Sequence, residues 1–185
     1  LRVVKFEVST GSGLMANHPV FSLDGEMMER ELTFAEQHRL VVVIDIGKLG
    51  SPSSQIDALR RAVLRHPKVK FVVCHLLAPK QSELSLMAAG LEALHLPNVW
   101  FDLASLQHNV RPDEAPYPVT RAFIHKAVEI VGAERLLFGT DLPSNLCKFS
   151  YADMVNTIAE DTVLAEEQRQ CILYNNALDV FWDGK

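Results

Sequence analysis

The sequence predicts an α/β chain built on a parallel sheet, and three observations predict it. Five apolar, largely β-branched runs have strand length, segments of helical periodicity alternate with them, and successive runs lie about thirty residues apart. That spacing is the one taken by βαβ units with right-handed crossovers. Two architectures satisfy it: an open doubly wound sheet, or part of an eight-stranded barrel. No GxGxxG or GxxxxGK follows any of the runs, which removes the nucleotide-binding fingerprints.

Composition narrows the function classes. The chain has 185 residues, of which 48% are hydrophobic, enough for one core, and a single domain over residues 1–185 is expected. A net charge of −5 without a basic cluster argues against a nucleic-acid surface, and no apolar run is long enough for a bilayer. The three cysteines Cys74, Cys147 and Cys171 are widely spaced with no CxxC pair, so a reducing cytoplasm is expected. The chain starts at Leu1 and runs almost at once into a strand pattern, as a piece of a longer protein would.

In order, residues 1–8 alternate, with Val4, Phe6 and Val8 on one face and Val3, Lys5 and Glu7 on the other. A glycine-serine turn and an irregular loop lead to a helix over 26–38. Leu40 to Ile46 reads as a strand covered on both faces, ending in Asp45. Ser51 to Ser54 opens a helix that His66-Pro67 stops. The third strand runs over 69–75, with Phe71, Val73 and His75 assigned to one face and Cys74 to the opposite one, in helix packing. A helix over 82–94 and a strand over 99–104 follow. The polar, proline-rich stretch from Ser105 to Pro118 reads as a loop, of a length usual for functional lids. After a helix over 119–131, residues 134–143 read as a short buried strand ending in Asp141, with Gly139 leaving room for a close neighbour. Two helices follow, over 151–160 and 165–173, closed by Asn175-Asn176-Ala177 and the aromatic pair Phe181-Trp182.

Parallel strands bring their C-terminal tips to one edge, and three of these tips carry groups able to hold a metal or move a proton: Asp45, His75 and Asp141. Mixed imidazole and carboxylate donors suit a divalent metal such as zinc, manganese or iron, with zinc expected first and manganese second. Asp141 could then serve as the base that takes a proton from an activated water. Lys5 and Glu7 share a face of the first strand and could join the cluster, or could form the solvated face of an edge strand. His108 and Arg111 lie in the long loop over the same mouth, where they could meet substrate.

The runs Val72-Val73-Cys74-His75-Leu76, Asn98-Val99-Trp100-Phe101-Asp102 and Arg135-Leu136-Leu137-Phe138-Gly139-Thr140-Asp141-Leu142-Pro143 resemble the amidohydrolase-related (amidohydrolase 2) family. The tail from Leu164 through Asn175-Asn176-Ala177 is similar to that family's closing helix. The resemblance implies a (β/α)8 TIM-barrel type of α/β fold of which about the last five β/α units are present. It also implies a metal-dependent hydrolase of small carboxylic acids, lactones or amides, or a non-oxidative decarboxylase. Asp141 resembles the eighth-strand aspartate and His75 the sixth-strand histidine. Asp45 stands where a metal-binding histidine is common, and Lys5 falls on the fourth strand. The family's first-strand D/H/E-x-H motif is absent here, so a homo-oligomer or association with an N-terminal portion is expected. A non-catalytic relative lacking part of the metal site is the competing expectation. The partner implied is a small molecule, with no nucleic acid and no membrane.

Overall fold

A computed structural model describes residues 2–182. Five strands, β1 (Val3–Glu7), β2 (Val41–Asp45), β3 (Phe71–Val73), β4 (Val99–Asp102) and β5 (Leu136–Leu137), pair in the order β1-β2-β3-β4-β5. Every pair is parallel. A doubly wound sheet needs a point where strand order reverses. None occurs among the described residues, so the chain winds in the sequential sense of a barrel.

The helices are α1 (Leu14–Asn17), α2 (Glu26–Gln37), α3 (Ile56–Arg65), α4 (Leu84–Leu94), α5 (Leu106–Asn109), α6 (Pro118–Val131), α7 (Tyr151–Ala159), α8 (Glu166–Gln170) and α9 (Asn176–Phe181). Helix α2 turns Met28, Leu32 and Ala35 inward, at the spacing of one helical face, and α3 does the same with Leu59 and Val63. These side chains join Val42, Ile44, Phe71, Val73, Phe101 and Leu136 in the principal core. The other face of the sheet holds a smaller cluster, Val41, Val72, Leu137 and Val180, flanked by Trp100 and Phe181. Helix α9 therefore lies across the inner face, opposite to the layer of α2, α3, α4 and α6.

Three expectations change. β3 stops at Val73, and its alternation puts Val72 on the inner face with Phe71 and Val73 on the helix side. Cys74 continues the inner parity and faces a cavity beside Lys5 and Asp102, not helix packing. The fifth strand is far shorter than 134–143, because β4 offers it only Phe101 and Asp102 as partners. Beyond it, the Phe138 amide donates to the Ile172 carbonyl at 2.8 Å. The second tail helix does not stop at Leu173: after α8 a wide π turn (Cys171–Asn175) leads directly into α9.

The segment from Ser105 to Pro118 is also more ordered than a lid. Leu106, Gln107 and Val110 are buried. Asp113 accepts from the Thr120 amide at 2.8 Å and the Thr120 hydroxyl at 2.7 Å, which caps the start of α6.

Candidate active site

The C-terminal tips of β1 to β4 and the chain following β5 form the site. In-register pairing sets Glu7 directly beside Asp45. Asp45 is buried, and its Oδ1 accepts from the Gly47 amide at 2.8 Å. Gly47 has φ +72, and a Cβ there would lie 2.7 Å from Ser53 Oγ, so only glycine makes this turn without strain.

His75 reaches the same place through its backbone, not through strand alternation. Its φ is +62, and Leu76, Leu77 and Ala78 are also left-handed at +49, +69 and +49. Non-glycine residues rarely adopt this conformation, and a run of it needs strong local anchoring. Leu76 and Leu77, both fully buried, supply that anchoring on the helix side. Asp102 supplies it on the other: its Oδ1 accepts from the His75 amide at 2.9 Å and the Ala104 amide at 3.0 Å.

The imidazole is then held at both nitrogens. Nδ1 lies 3.0 Å from the Ala104 carbonyl oxygen, and Nε2 lies 3.0 Å from Asp45 Oδ2. Burial alone would disfavour a charged ring, but the Asp45 hydrogen bond and the charges of Asp102, Asp45 and Asp141 outweigh it and raise His75 to about 9. For Asp45, burial opposes ionisation, yet the bonds from His75 and Gly47 hold its carboxyl at about 2. Burial pushes the carboxyl of Asp102 up, opposed by His75.

Asp141 lies past the end of β5, exposed, with φ +53. Its Oδ2 accepts from the Ser105 hydroxyl at 2.5 Å, and Asn145 Nδ2 donates to that hydroxyl at 2.9 Å. Gly139 sits where the sequence needs space: a Cβ there would come within 3.0 Å of Ala104 Cβ. Asp141, His75, Asp45 and Glu7 all line one open cleft, whose rim carries His108, Lys48 and Lys148. Lys148 Nζ lies 3.1 Å from His108 Nδ1. Burial, then the charges of Arg111 and Lys148, keep His108 below the ordinary histidine range.

Of the residues singled out from sequence, the structure brings Asp45, His75, Asp141, Glu7 and His108 to this cleft. Lys5 faces the adjoining inner cavity of about 600 Å³, which His75 and Asp141 also line. Arg111 does not reach in as a substrate ligand would; its guanidinium folds back, donating from Nε to the His108 carbonyl at 2.8 Å. Among the described residues, donor atoms of Asp45, Cys74 and His75 lie within 4.8 Å of one another, a group that Asp141 does not join. Sequence reasoning missed Asp102 and Cys74. The parity of Val72 and Trp100 on the inner face was the signal that could have found both.

Comparison with known proteins agrees with this architecture. The amidohydrolase family model matches residues 10–181. No curated protein matches the chain. Among solved structures, an amidohydrolase from Burkholderia multivorans, crystallised with zinc, is 21% identical with a TM-score of 0.78, over 98% of this chain and 64% of that one. A protein described as a candidate 2-pyrone-4,6-dicarboxylic acid hydrolase, from Pseudomonas putida, is 19% identical with a TM-score of 0.76, over 100% of this chain and 64% of that one. A dihydroxybenzoic acid decarboxylase from Polaromonas sp. JS666, with bound manganese and 2-nitroresorcinol, is 12% identical with a TM-score of 0.57, over 91% and 58%. The fold is thus that of a partial TIM barrel, and the chain spans about 64% of the length of the first two structures. No helix of the described residues is long and apolar enough to cross a membrane.

Proposed function

Since this chain belongs to the amidohydrolase family, we propose that it carries the proton-handling and metal-holding side of a hydrolase acting on a small carboxylate-bearing lactone, ester or amide. One observation carries the reading: Asp45, His75 and Asp141, from three separate strand ends, line a single cleft.

The donor set fits a divalent metal, zinc first and manganese second. Asp45 Oδ2 and His75 Nε2 are side by side at 3.0 Å, and the Ala104 carbonyl fixes the far side of the ring, the outer support typical of a metal-binding imidazole. Asp45 and His75 would hold the ion; when bound, it supplies Lewis acidity that acidifies water and polarises a carbonyl.

Asp141, exposed to the cleft and held by Ser105, accepts the proton of the attacking water and returns it to the leaving oxygen or nitrogen. Lys48 and Lys148 give the rim the positive character that a substrate carboxylate needs, while Glu7 and Asp45 repel an anion from the deep end. The substrate is a small molecule.

A second reading, non-oxidative decarboxylation, is favoured by the raised His75, which in the metal-free site keeps a proton at neutral pH for delivery to carbon. Metal analysis joined to assays with a panel of lactones and aromatic carboxylic acids tests both. Stoichiometric zinc or manganese lost in Asp45→Asn and His75→Ala, with lactone opening abolished in Asp141→Asn, supports the hydrolase. Release of CO2 without lactone opening moves the assignment to the second reading. A folded protein that takes up no metal and turns over neither class removes both.

A further inference from the structure

We propose that Cys74 is the third ligand this chain offers to the metal, so that the site is an Asp-Cys-His site selective for zinc over manganese. The proposal rests on the metal reading given above and adds the thiolate to it.

The argument begins with strand parity. Val72 belongs to the inner cluster with Val41 and Leu137, and Cys74, two residues on, keeps that direction. The residue is buried, at 4% exposure, against a mostly apolar wall into which charged groups also project. It opens on the cavity shared by Lys5, His75, Asp102 and Asp141. The Asp102 carboxylate lies beside its thiol. A cysteine that only filled space would border aliphatic side chains alone; this one borders four ionisable groups as well as Val72 and Leu137.

Distance supplies the second step. The sulfur, a carboxylate oxygen of Asp45 and a ring nitrogen of His75 all fall within 4.8 Å of one another. Zinc binds sulfur at about 2.3 Å and nitrogen or oxygen at about 2.0–2.2 Å. Three donors at this spacing therefore need only small side-chain adjustments to share one ion. Two of the three have separate anchors: Asp45 on the Gly47 turn and His75 on the Ala104 carbonyl. Each anchor holds a ligand from behind, which is the role of an outer layer at a metal centre.

Chemistry supplies the third. A carboxylate and an imidazole alone accept manganese and zinc alike, whereas a thiolate is a soft donor that favours zinc and disfavours manganese. Binding would displace the thiol proton to solvent, and three protein donors would leave room at zinc for water or substrate.

Cobalt substitution tests this without any assay of turnover. The protein carrying Cys147→Ser and Cys171→Ser has Cys74 as its single thiol. On adding Co2+ it should show a near-ultraviolet thiolate-to-cobalt charge-transfer band together with visible d–d bands. Adding Cys74→Ser should abolish the charge-transfer band, and should weaken Zn2+ binding by about tenfold or more while changing Mn2+ binding much less. If Cys74→Ser does not fold, by circular dichroism, the spectrum of the double variant decides alone. Visible cobalt bands that vanish in His75→Ala but come with no charge-transfer band overturn the Cys74 assignment and leave the metal reading standing. No uptake of Co2+ or Zn2+ overturns both.

Discussion

His75 Nε2 lies 3.0 Å from Asp45 Oδ2 while the other ring nitrogen faces the Ala104 carbonyl. A carbonyl oxygen and an ionised carboxylate can only accept, so the metal-free ring must present an N–H on each side. It is an imidazolium, paired to a carboxylate in a mostly buried setting, with 13% and 12% side-chain exposure.

The pH dependence follows from that pair. The folded-state value of His75 is raised from 6.5 to about 9, so its contribution to stability is full below 6.5 and is lost as pH rises through about 9. The value of Asp45 is depressed from 3.8 to about 2, so its contribution is present above 3.8 and is lost as pH falls through about 2. Urea unfolding of metal-free wild type and Asp45→Asn should therefore differ most between about pH 4 and 6.5. The gap there should be about 1–3 kcal/mol, because Asp102 and Asp141 still face the ring in the variant. NMR titration of His75 should show its midpoint moving down in Asp45→Asn. A midpoint that stays put would mean the two groups are not paired in solution.

Asp102 acts on the site through backbone. One of its oxygens takes both the His75 and Ala104 amides, which holds the left-handed turn and the carbonyl that orients the ring. Asp102→Ala leaves two buried N–H groups without acceptors and should cost about 2–5 kcal/mol. Asp102→Asn keeps an acceptor and should recover most of that loss. Denaturant midpoints of the two variants, with His75 chemical shifts as the local report, separate this positioning role from a purely electrostatic one: equal losses in both variants would favour charge over the hydrogen bonds.

Much of this was legible in the residues. Strand spacing gave sequential parallel units, and the apolar character of β2 gave a strand covered on both faces, as Val42 and Ile44 on one side and Val41 on the other confirm. Asp45 followed from simple alternation along a regular strand. His75 was placed at the right edge by the wrong route, since strict alternation would send it to the helix side; the left-handed run after Val73 turns it back. Such a run has no signature when the residues are His, Leu, Leu and Ala, because its stability comes from Asp102 and from buried leucines elsewhere in the fold. The same error of parity hid Cys74. The inner position of α9 was illegible for another reason: its amphipathic pattern does not say which face of the sheet it covers.

Gly47 sets Asp45. With φ +72 and Ser53 Oγ and Ser9 Cβ at 2.7 and 3.0 Å from where a Cβ would stand, Gly47→Ala combines backbone strain with crowding. The left-handed conformation alone costs an alanine about 1–2 kcal/mol. Relief requires the 45–47 turn to shift, which lengthens the Gly47 amide bond to Asp45 Oδ1. The variant should be destabilised by about 1–3 kcal/mol and should bind Zn2+ more weakly. Calorimetric titration with zinc and urea unfolding measure the two effects; unaltered zinc affinity in a destabilised variant would show that the turn does not position the carboxylate.

The tail completes the inner face. Val180 is 1% exposed against Val41, Val72 and Leu137. Asn176 Nδ2 donates to the Ala133 and Leu136 carbonyls at 2.8 and 2.7 Å, and Lys70 Nζ to the Asp179 carbonyl at 2.6 Å. The Arg2 guanidinium lies 4.7 Å from the centre of a Trp182 ring, so the tail reaches from β5 across to the start of β1. Val180→Asp would bury an unpaired carboxylate in this layer, at about 3 kcal/mol or more. Trp182→Ala, at a largely exposed site, should cost about 0.5–1 kcal/mol. Urea unfolding ranks the two, and amide exchange of Val41, Val72 and Leu137 should accelerate in the first variant far more than in the second. Equal protection of those three amides in Val180→Asp and wild type would mean that α9 does not cover the sheet.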